Sequence, residues 1–538
     1  MLWWWIACTD PEIVLPVPHE PRHVTVLPGP GVEGYLHTLG GKAELLERQH
    51  QAINSAPFGM SLNADITDRT PVESWLDDSD GYTQEDLEDW SGVKLDELVV
   101  AYGGLGDLGM SGGVAAVADA WRLGLVREDH EAPMEEVERA YWRMSQLMEG
   151  LHVMAAITGR PGSLARGLGL ATMPGMAEVV PLPMYDDDGA PLPTVKESVW
   201  REDQSGVYPQ FLFLDDTSED QWVGYILALG AVWEVAQGDE RLDPEWLDPL
   251  RADARAMGAA LQLLSPDTGL DLTLIDADGR PTTVHDLNAS ELDGEVNDTP
   301  ANPVNALLAL AGLKVLAEVS EDPAIEEYYL ELAEGRGYAE LAGESGDVIW
   351  LGYATDYSNV NMVFTALHSL LRLEKDPGLH ETYLNALRGA WSEGTDRAPW
   401  HFHSAWFTFL YAAHVAVDDE VIEAAAMNLL GSAGPPYWTD EVENCDEAEI
   451  ALGSCVGVDG TTRITLYGEQ VDGGFVAGSA HDAWPVASSY VPQSVRPASD
   501  FAWRSDPYAV NGAAGPTLNP GGDFRAAYWT GRWLQRAR

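Results

Sequence analysis

Positive charge is what this chain has least of. Lys and Arg together number 30 against 87 Asp and Glu, and only five of the 30 are lysine, leaving a formal net charge of −57. A surface of that sign repels phosphate, which excludes a nucleic-acid partner and disfavours an anionic membrane. Cysteine is nearly absent, with three residues in 538 and no CxxC-type metal pattern. No run reads as long and apolar enough to span a bilayer. The sequence also lacks G-x-S-x-G, a P-loop, a dinucleotide fingerprint and H-E-x-x-H, so a serine hydrolase, a nucleotide enzyme and a zinc protease are not expected. The stretch "DDSDGYTQEDLEDW" brings an EF-hand to mind, but with Gly81 as its sixth position the terminal ligands fall on Leu76 and Leu87. Neither a metal nor a cofactor is expected.

Hydrophobic content is 45% and the acids are spread along the chain, the pattern of a folded protein with an acidic surface. The opening "MLWWWIACTDPE" places a short apolar run before Cys8, like the end of a lipobox, and turns Pro-rich afterwards. Cys445 and Cys455 stand ten apart and can pair. This arithmetic fits an exported protein, periplasmic or on the outer surface, whose membrane attachment is a lipid on Cys8. Residues 1–33 are therefore read as leader and linker, and 34–538 as one domain, expected to be a monomer.

Along that domain, apolar helices alternate with charged ones. Gly/Ala-rich apolar helices are expected to begin near Met110, Asp216, Pro303, Asn359 and His401. Each is followed by a charged helix, several opening with Asp-Pro, a strong helix-start signal. A sixth pair comes from the chain's two ends, "DFRAAYWTGRWLQ" beside "VEGYLHTLGGKAELLERQHQAINS". Six inner and six outer helices close an α/α toroid, with an open α-solenoid or stacked bundles as the alternatives. The segments 55–109, 167–208, 267–302 and 434–525 are read as irregular insertions, the last carrying a small β-containing annex.

The blocks "ITGRPGSLARG", "DDTSEDQWVGY", "NPVNALLALAGLKVLAEVSEDPAIEEYYLELAEGRGYAE", "NMVFTALHSLLRLEKDPGLHETYLNALRGAW" and "RPASDFAWRSDPYAVNG" carry a resemblance. They are similar to a group of uncharacterised exported bacterial proteins in the six-hairpin glycosidase-like superfamily, which has the toroid fold. The resemblance implies saccharide chemistry without choosing among hydrolases, lyases and epimerases. The group's Asn-Asp-Gly-like start to the first inner helix is "YGGLGDLGM" here, leaving Asp107 as its acid. Tyr225 stands where the group carries a histidine.

In such rings the inner helices begin at one end, where the superfamily's sites lie. Those starts hold Asp107 and Ser111, Asp216 and Asp220, Asn302 and Asn305, Asn359 and Asn361, His401 and His403, and Asp523. A hydrolase needs a carboxylate pair. Asp107 and Asp220 are the candidates, with His403 as proton-transfer partner. Asp216, Tyr225, Asn305, Asn361, Trp400 and His401 are expected to bind the sugar, and Arg160 and Arg166 to hold a carboxylate group on it. A lyase would use His403 or Tyr225 as base. The reading from another class is a surface lipoprotein that binds glycan without turnover. Asp216 and Glu219 are read as a capping box for the helix that follows.

Overall fold

The computed structural model describes Leu27 and residues 37–536, apart from 193–198, 290–301, 353–354, 393–397, most of 443–488 and a few positions between 500 and 516. Cys8, Cys445 and Cys455 lie outside the described residues, and with them the expected lipid attachment and disulfide.

The chain is mainly helical. The alternation read from the sequence is present as α1 (His37–Gln49), α2 (Gly113–Glu128), α3 (Met134–Ala156), α4 (Glu219–Ala236), α5 (Leu247–Leu261) and α6 (Pro303–Ser320). It continues as α7 (Pro323–Leu330), α8 (Tyr357–Leu373), α9 (Pro377–Ser392), α10 (Ala405–Ala412), α11 (Asp419–Leu430) and α12 (Gly522–Arg536). The apolar members α2, α4, α6, α8, α10 and α12 pack each on the next, and α12 packs back on α2. The charged members sit behind them: α3 on α2, α5 and α7 on α6, α9 on α8, α11 on α10, and α1 on α12. Helices apolar on every side must be buried on every side. α6 satisfies that rule: by length and composition it would cross a bilayer, contrary to the expectation above, yet 83% of its apolar window is buried against its neighbours.

Start signals explain most boundaries. Asn302 accepts from the N–H groups of Val304 and Asn305 ahead of Pro303, and Asp322 from that of Ala324 ahead of Pro323. Two starts differ from expectation. The helix expected from His401 begins at Ala405, capped by Ser404, because Pro399–His401 forms a 3₁₀ turn and His403 takes φ +52°. Asp216 does not cap α4, whose cap position is Ser218. Asp216 holds φ +69°, and its carboxylate accepts from the Thr283 N–H at 2.7 Å. A tertiary donor has taken the side chain that the local pattern assigned to the helix.

The expected irregular segments also carry structure. Residues 55–109 contain the helices Thr70–Asp78 and Gln84–Ser91, and the latter's capping box, Thr83 with Asp86, occupies the EF-hand-like stretch. They also contain β1 (Asn63–Ile66) paired antiparallel with β2 (Val99–Gly103). A three-stranded sheet joins β3 (Gly167–Leu170), β4 (Trp200–Glu202) and β5 (Phe211–Leu214), with β5 central. The hairpin β6 (Thr273–Ile275) and β7 (Pro281–Asp286) follows α5. Near the C-terminus, Ile450–Leu452 pairs with Val486–Ala487 and Ile464–Thr465 with Asp482–Ala483.

α2 and α4 approach closely through glycine. A Cβ on Gly224 would lie 2.3 Å from the Gly109 carbonyl oxygen, and one on Gly113 would lie 2.4 Å from the Gly224 carbonyl. Backbone cannot yield as a flexible side chain does. Gly224→Ala is therefore expected to destabilise by about 1–3 kcal/mol through overpacking. Gly230→Ala, whose Cβ would meet Val315 methyls at an ordinary 3.5 Å, should be neutral or stabilising. Urea denaturation of the two variants checks this; equal midpoints would remove the close-approach argument.

Candidate active site

The site forms where α2 and α4 begin. The turns Leu105–Asp107 and Leu108–Gly112 carry the chain into α2, so Asp107 projects just ahead of it. β5 delivers Asp215 and Asp216, and α4 opens with Glu219 and Asp220. Gln221 is fully buried between these starts. Its Oε1 accepts from the Met110 N–H at 2.8 Å, which orients the amide. Its Nε2 then donates to Asp107 Oδ1 at 3.2 Å and to Asp220 Oδ2 at 3.4 Å. Two oxygens on one nitrogen lie no further apart than the sum of those bonds, so the carboxylates are within 6.6 Å.

Arg166 ties the same two acids together. Its Nη1 donates to Ser218 Oγ at 2.8 Å and to the Asp216 carbonyl at 3.3 Å, and its Nη2 lies 3.8 Å from Asp107 Oδ1. Ser218 Oγ donates in turn to Asp220. Arg504 reaches Asp107 Oδ2 from the other side at 3.4 Å. Three residues chosen from the sequence, Asp107, Asp220 and Arg166, thus stand together.

Asp107 also lines a small cleft, with about 30 Å³ of space open to water, together with Ser61, Asn63, Gly104, Ser111, Phe501, Arg504, Pro520, Gly522 and Asp523. Asp523, at the start of α12, is 3% exposed and accepts from the N–H groups of Phe524 at 2.7 Å and Ala502 at 3.2 Å. Burial pushes its carboxyl up to about 6, against the pull of those N–H groups and of Lys42. A raised carboxyl pKa means that the folded chain holds this proton more tightly than the unfolded one. The associated stability is complete below pH 3.8 and is lost as pH rises through about 6. Asp523→Asn is expected to lack that part of the slope, which denaturation midpoints measured from pH 4 to 7 check. Parallel profiles for the two proteins would contradict it.

Other expected site residues lie elsewhere. Tyr225 is fully buried and donates its hydroxyl to the Leu151 carbonyl on α3 at 3.1 Å, while burial drives its pKa well above the usual range. It cannot reach a substrate, which removes it both as sugar contact and as lyase base. Arg160 gives its Nε and Nη2 to the carbonyls of Ala277 and Asp278, bracing the β6–β7 turn. Asn305 donates to the Asp286 carbonyl at 2.6 Å. Asn361 is fully buried where helix starts meet, accepting from Trp406 Nε1 at 3.0 Å and facing Met110 Sδ at 3.6 Å. Trp400, 44% exposed, lies against His401, and the exposed His403 meets Tyr490 edge-on. These three form an outer surface ahead of α10 and do not line the cleft with Asp107.

Sequence reasoning missed Gln221, Ser61, Asn63, Phe501 and Arg504. Three of them had a signal, since Gln221, Phe501 and Arg504 fall inside blocks that carry the family resemblance. Ser61 and Asn63 sit in and before a strand within a segment read as irregular. Among the described residues no group of three or more His, Cys, Asp or Glu side chains converges as metal ligands would. No protein-family model matches the chain, and no curated protein sequence matches it either.

Proposed function

We propose that the six apolar helices are the inner wall of an α/α toroid of the six-hairpin glycosidase-like kind, and that the chain hydrolyses a saccharide with Asp107 and Asp220. The cyclic order of helix neighbours, with the sixth pair made from the two chain ends, supports the fold reading. The observation that carries the function is the shared donor Gln221 Nε2, which keeps the two carboxylates within 6.6 Å of each other, with Asp107 on the wall of a small cleft. Glycosidases that retain configuration separate their carboxyls by about 5–5.5 Å, and inverting ones by about 6.5–9.5 Å. The shorter class fits better. Asp107, lining the cleft between Arg504 and Arg166, is the nucleophile that attacks the anomeric carbon. Asp220, hydrogen-bonded by Ser218, protonates the leaving oxygen and then activates water.

The test is incubation with a panel of neutral and acidic polysaccharides, scoring new reducing ends and following the anomeric signal of the first product by NMR. Hydrolysis with retention supports the reading. A panel that is bound but never cleaved supports a glycan-binding protein instead. Inversion would overturn the assignment of Asp107 as nucleophile.

A further inference from the structure

The small cleft beside Asp107 has about 30 Å³ of space open to water, and about 10–15 Å³ is enough to hold one water molecule. The donors and acceptors on its wall decide what can sit there, and their directions follow from its buried end. His50 is fully buried, with Nδ1 3.2 Å from Arg143 Nη2 and Nε2 2.8 Å from Ser61 Oγ. A guanidinium only donates, so Nδ1 must accept. Burial and the charges of Arg525 and Arg143 hold the ring well below its usual pKa, hence neutral, and its one proton sits on Nε2. Nε2–H therefore donates to Ser61, which leaves the Ser61 hydrogen to donate on its other side, toward the cleft.

Asn63, two residues on, is 7% exposed and lines the same cleft, and its Oδ1 has no hydrogen-bond partner among the described residues. A buried acceptor left unpaired costs free energy unless something supplies a donor. Asp107 and Asp523 line the same space, and Ser111 adds a hydroxyl that can turn either way. Each Asp523 oxygen accepts one N–H, from Phe524 or Ala502, which leaves each a further bonding position. Two carboxylates repel an anion. Arg504, which lines the cleft and already faces Asp107, repels a metal cation. What fits is a small neutral molecule that both donates and accepts.

We propose that this cleft is a binding site for one ordered water, which accepts from Ser61, donates to Asn63 Oδ1 and bridges Asp107 to Asp523. Such a set supplies the two to four polar partners that a buried water needs. The site does not depend on turnover, and the water is a fixed part of the fold rather than a reactant. It makes the two acids sense each other. Protonated Asp523 donates to the water, which then has both hydrogens for Asn63 and Asp107. Once Asp523 ionises, three acceptors compete for those two hydrogens, and the bond to Asp107 weakens. The groups that face Asp523 are Lys42 from α1, the N–H groups of Ala502 and Phe524, and Arg504 and Asp107 in the cleft. Burial brings its carboxyl to about 6, so the exchange falls in a range that ordinary buffers cover.

Crystals of the full chain grown at pH 5, at a resolution that shows ordered water, test this first. One density peak is expected within hydrogen-bond distance of Ser61 Oγ, Asn63 Oδ1 and both carboxylates. None is expected in Asn63→Leu, where an apolar side chain of similar size removes the acceptor. Asn63 pairs with Gly103 through its main chain, so the variant keeps that strand pairing. The second measurement is in solution: the infrared band of protonated carboxyls is followed from pH 4.5 to 8. Subtracting the profile of the matching Asp523→Asn protein leaves Asp523 alone. Its midpoint should rise by about half a pH unit or more in Asn63→Leu, which takes water from the carboxylate. It should fall by about as much in Asp107→Asn, which removes a like charge. No peak in the unaltered protein, or a midpoint that neither substitution moves, overturns the site. A peak with five or more oxygens at about 2.4 Å is a cation instead and overturns it as well.

Discussion

Glu47→Gln is expected to lower the unfolding free energy at pH 7 by about 3–5 kcal/mol, the cost of removing one member of a buried ion cluster. Glu47 is fully buried on α1. It accepts two bonds from Arg525 at 2.9 Å each and one from Trp529 Nε1 at 2.7 Å, both on α12, and faces Arg122 of α2 at 3.4 Å. Arg525 also reaches Asp119 at 2.9 Å, which is shared with Arg143 at 3.4 Å. Three buried guanidinium groups thus lean on two buried acids, and Nε of Arg122 and Nη1 of Arg525 have no acceptor as it is. Neutralising Glu47 would leave three cations against Asp119 and, at 3.6 Å from Arg122, the partly exposed Glu136. Burial by itself would raise the Glu47 pKa, but Arg525 and Arg122 outweigh it and bring it down to about 2. For a depressed carboxylate the stabilisation is complete above its usual 4.5 and is lost as pH falls toward 2. The deficit of Glu47→Gln should therefore be largest near neutrality and shrink below pH 4.5. Guanidinium denaturation at pH 7, 4 and 2.5 reads it. A deficit under about 1 kcal/mol at pH 7 would mean that the cluster behaves like an exposed pair.

That cluster also shows where sequence reading stops. Helix periodicity and the Asp-Pro starts at Asp322 and Asp376 placed the alternating helices, because those signals act within a few residues. The pairing of α1 with α12 was legible as two leftover helices. What fastens them was not, since Glu47 and Arg525 stand 478 residues apart and nothing local marks two charges as partners. The same limit explains Asp216. Its spacing to Glu219 is a valid capping pattern, but the β6–β7 hairpin brings the Thr283 N–H to 2.7 Å and the residue turns into the left-handed region. The start expected at His401 shifts for a different reason: Ser404 is the better cap, so α10 starts later and leaves His403 ahead of the helix. Asp107, Asp220 and Arg166 come together because two converge as helix starts and the third follows an outer helix by a short connection. Ser61 and Asn63 reach the cleft from a strand pairing that carries no local label.

Asp107→Asn and Asp220→Asn are each expected to cut kcat/KM on a cleaved polysaccharide by about 10²–10⁴-fold, the range for losing a positioned proton donor or its carboxylate partner. Folding should survive both. Asp107 keeps 36% of its side-chain area in solvent, and Asn preserves an acceptor for Gln221. Asp220 is half-buried in the first turn of α4, where losing the charge costs about 0.3–1 kcal/mol against the helix dipole. Asp216→Ala supplies the contrast. Asp216 is 2% exposed and accepts from the N–H of the exposed Thr283, so its removal loses that bond, a cost of about 0.5–1.5 kcal/mol with activity per folded molecule intact. The two roles in the pair separate chemically. Azide should restore turnover to Asp107→Ala with a glycosyl azide of inverted configuration, since it replaces the nucleophile from the opposite face. In Asp220→Ala it should give the azide with retained configuration, by attacking the intermediate on Asp107. Melting curves, rates and product NMR on the five asparagine and alanine variants form one experiment. If Asp220→Asn melts far below Asp216→Ala and its rate per folded molecule is unchanged, Asp220 is a structural carboxylate and the pair is not the catalytic one.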